Sequence, residues 1–128
     1  MAEINTLSID IESFSDVDLA SCGVYKYTES DNFEILLFGY AVDGGKVNVI
    51  DLAQGETIPI KIIKAIGDVT VIKWAHNAIF ERVCLSVYIQ KYYPDYFSSY
   101  SINEDTVGDY LDPESWRCSM GWGAYMGL

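Results

Sequence analysis

The sequence predicts an α/β fold in which an antiparallel three-stranded meander joins parallel strands in one mixed sheet flanked by helices. Three observations predict it. Residues 7–13 alternate apolar and polar side chains, as a strand with one buried face does. Residues 33–42 are almost continuously apolar and are followed by Asp-Gly-Gly at 43–45, which is typical of a tight turn. From Pro59 the apolar residues recur at helical spacing, and a β-branched stretch comes next.

The first half of the chain contains the predicted meander. The strand over 7–13 is followed by a mixed segment, 19–27, in which Gly23 interrupts any helix. The strand over 33–42 and the alternating residues 46–51 are separated by the tight turn, so we expect them to pair as a hairpin.

The second half contains the predicted crossover. Residues 59–66 form a helix that stops at Gly67, and residues 69–75 form the fourth strand. A strand–helix–strand connection joins parallel strands. A longer helix over 78–91 follows, with Asn77 as its N-cap and an apolar stripe made of Phe80, Cys84, Val87 and Tyr88.

The last third of the chain contains short predicted elements. Residues 94–114 are polar and rich in tyrosine, which predicts short helical turns, and residues 116–118 are a candidate fifth strand. Residues 119–128 have the spacing of a helix that has barely begun. We therefore expect residues 1–128 to be a single domain whose C-terminal helices are truncated.

Composition narrows the function classes. The net charge of −11 argues against a basic surface that binds phosphates non-specifically, but not against nucleic acid held through metal ions. No apolar run is long enough to span a membrane, and the N-terminus lacks the pattern of a signal peptide. The three cysteines, Cys22, Cys84 and Cys118, are widely spaced, which favours reduced, buried thiols in a cytoplasmic protein.

Two carboxylates lie on the predicted exposed face of the first strand. Asp10 and Glu12 are two residues apart, so their side chains point to the same side. Adjacent carboxylates repel unless a cation lies between them, and a hard divalent ion is the natural candidate. An acidic outer strand face with no further role is the alternative.

A third carboxylate lies just after the predicted fourth strand, in the first turn of the helix over 78–91. Glu81 lies one turn into that helix, and the first and fourth strands are expected to be parallel neighbours. Asp10, Glu12 and Glu81 could then converge at one end of the sheet, where ligand sites of mixed sheets are found. The single histidine, His76, is adjacent and is more typical of a structural hydrogen-bonding residue.

These two motifs resemble a known family. Residues 9–13 (Ile-Asp-Ile-Glu-Ser) and 75–82 (Ala-His-Asn-Ala-Ile-Phe-Glu-Arg) are similar to the first two motifs of proofreading 3′→5′ exonucleases with four acidic metal ligands. The strongest likeness is to the exonuclease region of bacteriophage family A DNA polymerases, and segments 23–27 and 116–120 also resemble that family.

The resemblance implies a ribonuclease-H-like fold and two-metal hydrolysis of the single-stranded 3′ end of DNA, beside the polymerase part of a longer chain. It implies that Asp10, Glu12 and Glu81 are catalytic and hold Mg²⁺ or Mn²⁺, two ions in the complete domain. Asn77 and Phe80 would contact the terminal nucleotide. Glu81 stands where the wider family more often has Asp. The family's third motif would come after Leu128, so we expect weak or no activity from these residues alone.

A second function class remains open from the sequence. The chain could be a non-catalytic ribonuclease-H-like scaffold or protein-interaction module. The tyrosine-rich segment could stack bases or simply pack. If C-terminal helices are missing, an apolar face should be exposed, which predicts homo-oligomers.

Overall fold

The computed structural model describes residues 4–97, 110–111 and 113–118; for residues 20–22 it describes the backbone alone. The predicted segments at 98–109 and 119–128, including the last helix, lie outside the described residues. No helix in the described part of the chain is long and apolar enough to cross a membrane.

In the part of the chain that the structure describes, five strands form one mixed sheet in the order β3-β2-β1-β4-β5. Strand β1 (Thr6–Phe14) pairs antiparallel with β2 (Glu34–Val42), which pairs antiparallel with β3 (Asn48–Asp51). Strand β4 (Ile72–Ala75) runs parallel to β1, and β5 (Trp116–Cys118) runs parallel to β4. The predicted α/β fold is confirmed: this meander joined to parallel strands is the arrangement of a ribonuclease-H-like sheet.

Among the described residues, three α-helices accompany the sheet: α1 (Leu19–Glu29), α2 (Ile60–Gly67) and α3 (Ala78–Tyr92). Helix α1 is broken at Gly23, whose φ of 79° is left-handed, so the predicted interruption is confirmed. Three short 3₁₀ turns complete the described chain: Leu52–Gln54, Pro94–Tyr96 and Pro113–Ser115.

One face of the sheet carries the core. Leu7, Ile9 and Ile11 of β1 are at most 8% exposed, and they belong to the same hydrophobic cluster as residues of helices α2 and α3. Those helix residues are Ile62, Ile63 and Ile66 of α2 and Cys84, Leu85 and Ile89 of α3. The opposite side of the sheet, here called the outer face, carries Ser8, Asp10 and Glu12 with their register partners Trp74, Gly39 and Leu37.

Three sequence predictions need correction. The fourth strand begins at Ile72 rather than at 69, because Asp68 accepts hydrogen bonds from the Thr70 backbone N–H (2.9 Å) and hydroxyl (2.7 Å) and bends the chain. Cys118 is exposed rather than buried, although Cys84 is buried as predicted.

The apolar stripe predicted for α3 is also too narrow. Phe80, Val87 and Tyr88 are half-buried. The helix instead buries residues on several sides: Ala78, Glu81, Arg82, Val83, Cys84, Leu85, Ser86 and Ile89. An amphipathic pattern does not describe a helix that is enclosed by the sheet, by α1 and by the returning segment at 110–111.

Candidate active site

The end of β1 places Asp10 next to β4. The parallel pairing of the two strands runs from Thr6–Ile72 to Ile9–Ala75, so Asp10 is the first residue of β1 beyond it. Its side chain is exposed on the outer face, beside Gly39 of β2. Because Gly39 has no side chain, β2 places no side chain directly opposite Asp10.

Glu81 reaches the same point from the first turn of α3. Asn77 caps this helix, with its Oδ1 accepting the Phe80 backbone N–H at 3.3 Å. The Glu81 side chain is only 4% exposed, and the Ile11 backbone N–H hydrogen-bonds to its carboxylate. Its Oε2 atom is buried and has no hydrogen-bond partner.

The surroundings of Glu81 disfavour its charge. Burial, and after it the charge of the nearby Asp10, raises the pKa of its carboxyl group to about 8. The Ile11 N–H opposes this shift by stabilising the carboxylate. Without a cation, Glu81 therefore holds a proton at neutral pH.

Asp10 and Glu81 line one open pocket of about 580 Å³ at the junction of β1, β4 and α3. We call it the carboxylate pocket; its lining residues are Ser8, Ile9, Asp10, Trp74, Ala75, His76 and Glu81. None of these is Lys or Arg. A ligand in this pocket would meet two carboxylates with no fixed positive charge to neutralise them.

Glu12 lies further along β1, on the same face as Asp10, and it is exposed. It does not line the carboxylate pocket. Among residues 4–97, 110–111 and 113–118, no three His, Cys, Asp or Glu side chains lie together in a way that could hold a metal ion. The structure thus brings together two of the three predicted carboxylates.

The two predicted substrate-contacting residues also lie outside the pocket lining. Asn77 is exposed and its side chain caps α3. Phe80 packs against the core, with its ring 5.8 Å from that of Tyr27. Their contact with a nucleotide stays a prediction.

Five lining residues of the pocket were not predicted as site residues: the buried Ile9 and Ala75, and the exposed Ser8, Trp74 and His76. The His76 side chain is exposed and does not pack into the core. Alternation along β1 places Ser8 on the same face as Asp10. For Trp74, the necessary information was the β1–β4 register, which the sequence does not give.

The residues of the pocket fit a hard divalent cation. Carboxylate oxygens are the ligands that Mg²⁺, Mn²⁺ and Ca²⁺ prefer. A buried carboxylate oxygen without a partner, next to a second carboxylate, is the electrostatic environment that a bound cation would relieve.

Fold and site together define an α/β domain with a ribonuclease-H-like sheet and a carboxylate pair at the end of its first strand. The chain is 43% identical over 125 residues to a DNA polymerase of Bacillus phage SP02. This match covers 98% of the chain but 16% of the polymerase, so the chain spans a small part of that relative's length. No protein-family model matches the chain, and no solved structure matches it.

Proposed function

We propose that this chain is the metal-binding part of a 3′→5′ exonuclease domain that belongs to a phage-type DNA polymerase of family A. The observation that carries the proposal is the pairing, in one open pocket, of Asp10 with the buried Glu81 carboxylate, whose Oε2 has no hydrogen-bond partner. The similarity to a phage DNA polymerase over nearly the whole chain supports it independently. The substrate would be the single-stranded 3′ end of DNA.

The residues of the chain have separate tasks in this proposal. Asp10 and Glu81 would hold Mg²⁺ or Mn²⁺, and Glu12 would be a further ligand on the same strand. The Ile11 N–H fixes the orientation of the Glu81 carboxylate. When bound, the metal would activate water and stabilise the charge that develops on the phosphodiester. Since the chain carries a net charge of −11, cations are also needed to bring phosphates to this edge.

Metal binding is the direct test. Calorimetric titration with Mn²⁺ should give specific heat for the chain, and this heat should vanish in Asp10→Ala and in Glu81→Gln. The matched control is Asp31→Asn, which removes an exposed carboxylate far along the sequence from the pocket. Absence of specific heat in the unmodified chain would overturn the assignment of a metal site to these residues.

Cleavage is the second test. A single-stranded oligonucleotide labelled at its 5′ end, incubated with Mn²⁺, should be shortened stepwise from the 3′ end, and Asp10→Ala should abolish this. With two carboxylates in the pocket we expect slow cleavage. Internal cuts, or shortening that persists in Asp10→Ala, would contradict the proposal.

A non-catalytic scaffold or protein-interaction module is the second candidate. It is favoured by one observation, the lack of a three-carboxylate cluster in the described residues. A scaffold does not require paired acids, so combined Asp10→Asn and Glu12→Gln substitutions should then leave partner binding unchanged.

A further inference from the structure

Trp74 is a large aromatic side chain in an unusual position. Its two neighbours on β4, Lys73 and Ala75, are 1% and 2% exposed, whereas Trp74 is 38% exposed. The strand alternates, so the buried neighbours fix its backbone and direct the indole to the outer face. Exposed single apolar residues are common, but tryptophan loses more than most by contact with water.

Trp74 is one of the residues that line the carboxylate pocket. Its register partner on β1 is Ser8, a small residue that also lines the pocket, and Asp10 is two residues further along the same strand. Glu81 also lines the pocket. The pocket thus combines an aromatic surface with two carboxylates, and its volume of about 580 Å³ lies in the range of small-ligand sites.

We propose that Trp74 is the platform on which the base of the 3′-terminal nucleotide stacks while the carboxylates hold the cation beside its phosphate. This inference rests on the proposed exonuclease function and deepens it by naming a binding residue for the nucleobase. Stacking on an aromatic ring tolerates every base, because each base has a π-face. Removal of terminal nucleotides requires that tolerance.

A nucleotide is a better occupant of this pocket than an apolar protein segment. A segment packed on Trp74 would also cover the exposed Asp10, and would remove its carboxylate from water without a counter-charge, beside the already buried and unpartnered Oε2 of Glu81. A nucleotide offers a flat apolar base for the indole, and its phosphate attracts the divalent cation that the carboxylates lack.

The test compares two oligonucleotides and two apolar variants. A fluorescein-labelled single-stranded oligonucleotide with an intact 3′-terminal nucleotide is compared with the same strand carrying an abasic 3′ terminus. Binding is measured by anisotropy in Ca²⁺. We expect Trp74→Leu to weaken binding of the intact strand by about 5- to 150-fold, the range of base–aromatic stacking. Trp74→Phe, which keeps an aromatic ring, should weaken it less.

The abasic strand isolates the stacking contact. The unmodified chain should bind it more weakly than the intact strand, and Trp74→Leu should bind both strands equally. Tyr92→Ala is the matched control, because Tyr92 is a 55% exposed aromatic residue outside the pocket. Thermal scans of each variant would show that it is folded.

The outcomes separate this inference from the proposed function. Equal binding of the intact strand by the unmodified chain, Trp74→Leu and Trp74→Phe would overturn the role of Trp74. Loss of affinity in Tyr92→Ala instead would also overturn it and would assign stacking to the tyrosine-rich segment. Loss of affinity in Trp74→Leu without any Mn²⁺ heat would uphold the base platform while the metal-dependent activity fails.

Discussion

The Glu81 carboxylate is buried in a way that disfavours its charged form, and this affects the stability of the fold. It is 4% exposed, one of its oxygens has no partner, and its pKa is raised to about 8 by burial and by Asp10. Burying such a group destabilises the metal-free fold when the group is ionised. A bound cation would remove this destabilisation by neutralising the charge. The same carboxylate that would bind the metal therefore lowers the stability of the metal-free fold.

We predict that the metal-free chain loses stability as the pH rises. The folded-state pKa of Glu81, about 8, exceeds the ordinary value of 4.5, so the folded state holds the proton more tightly. The contribution is complete below about pH 4.5 and is lost as the pH rises through 8. Urea unfolding in EDTA between pH 5.5 and 8.5 should show this decline.

Glu81→Gln should remove that pH dependence. In EDTA at pH 8.5 we expect the variant to be more stable than the unmodified chain by about 2 kcal/mol, and the difference should shrink towards pH 5.5. Glu34→Gln, a change at an exposed carboxylate, is the control and should alter neither the stability at pH 8.5 nor its dependence on pH. A variant that is less stable than the unmodified chain at pH 8.5 would show that the Glu81 charge is already compensated.

Individual residues differ in how far the sequence could place them. Asp10 and Glu81 were predictable because alternation on a strand and the first turn of a helix fix side-chain direction. Trp74 was missed because an almost wholly apolar strand does not show which face is covered. Cys118 was placed in the core because cysteine is usually buried, whereas it lies exposed with its Sγ donating to the His76 carbonyl at 3.1 Å.

At the scale of elements, α3 holds the returning chain by a buried polar contact. The Ser86 hydroxyl accepts the Leu111 backbone N–H at 2.9 Å and donates to the Arg82 carbonyl at 2.6 Å. The Arg82 Nη1 donates to the Leu111 carbonyl at 2.9 Å. This contact lies just ahead of β5, and we infer that it sets where the fifth strand joins the sheet.

Ser86→Ala should therefore destabilise the fold by about 1–3 kcal/mol, because the Leu111 N–H would stay buried without an acceptor. Chemical denaturation measures the loss, and faster hydrogen exchange at Leu111 would locate it. Thr57→Ala removes a hydroxyl from an exposed residue and should change stability by less than about 0.5 kcal/mol. Equal effects of the two substitutions would contradict the role of this contact.

Asn77 also acts at the scale of an element, as the cap of α3. Asn77→Ala should cost about 1 kcal/mol of folding stability, and Asn77→Ser should restore most of it because serine also caps helices. If Asn77 additionally contacts the nucleotide, Asn77→Ser should regain stability but not cleavage. Recovery of both would limit Asn77 to capping, against its predicted contact with substrate.

Element bounds were predictable where a turn or cap residue marks them, as at Asn77 and at the Asp-Gly-Gly turn. They were not predictable where a side chain forms a local hydrogen bond with the backbone. Val69 has strand propensity, but the hydrogen bonds from Thr70 to Asp68 start a turn, and Val69 is 55% exposed. Such local bonds compete with the strand ladder, and propensity does not count them.

At the scale of the whole molecule, the order of the first four strands was the most predictable property, whereas the position of the fifth could not be read from the sequence. A tight turn permits an antiparallel neighbour, and a helical crossover requires that the two strands it joins run parallel, so connection lengths restrict the topology. Enclosure of α3 was not predictable, because it depends on residues 110–111, which come back from a distant part of the chain.

The last prediction concerns the edge of the sheet and the outer face. Strand β3 is an edge strand, and Val47 and Val49 near its start are 66% and 61% exposed. Exposed apolar edges associate with other chains. We therefore expect light scattering to show dimers or larger species as the concentration rises.

Val49→Lys should shift this association towards monomer, because a charge on an edge strand opposes edge pairing. Val69→Lys makes the same change at a valine that is 55% exposed but lies in the turn before β4, and it should leave association unaltered. A monodisperse monomer at high concentration would contradict association altogether. Association that both substitutions suppress equally would place its cause in net charge rather than in β3.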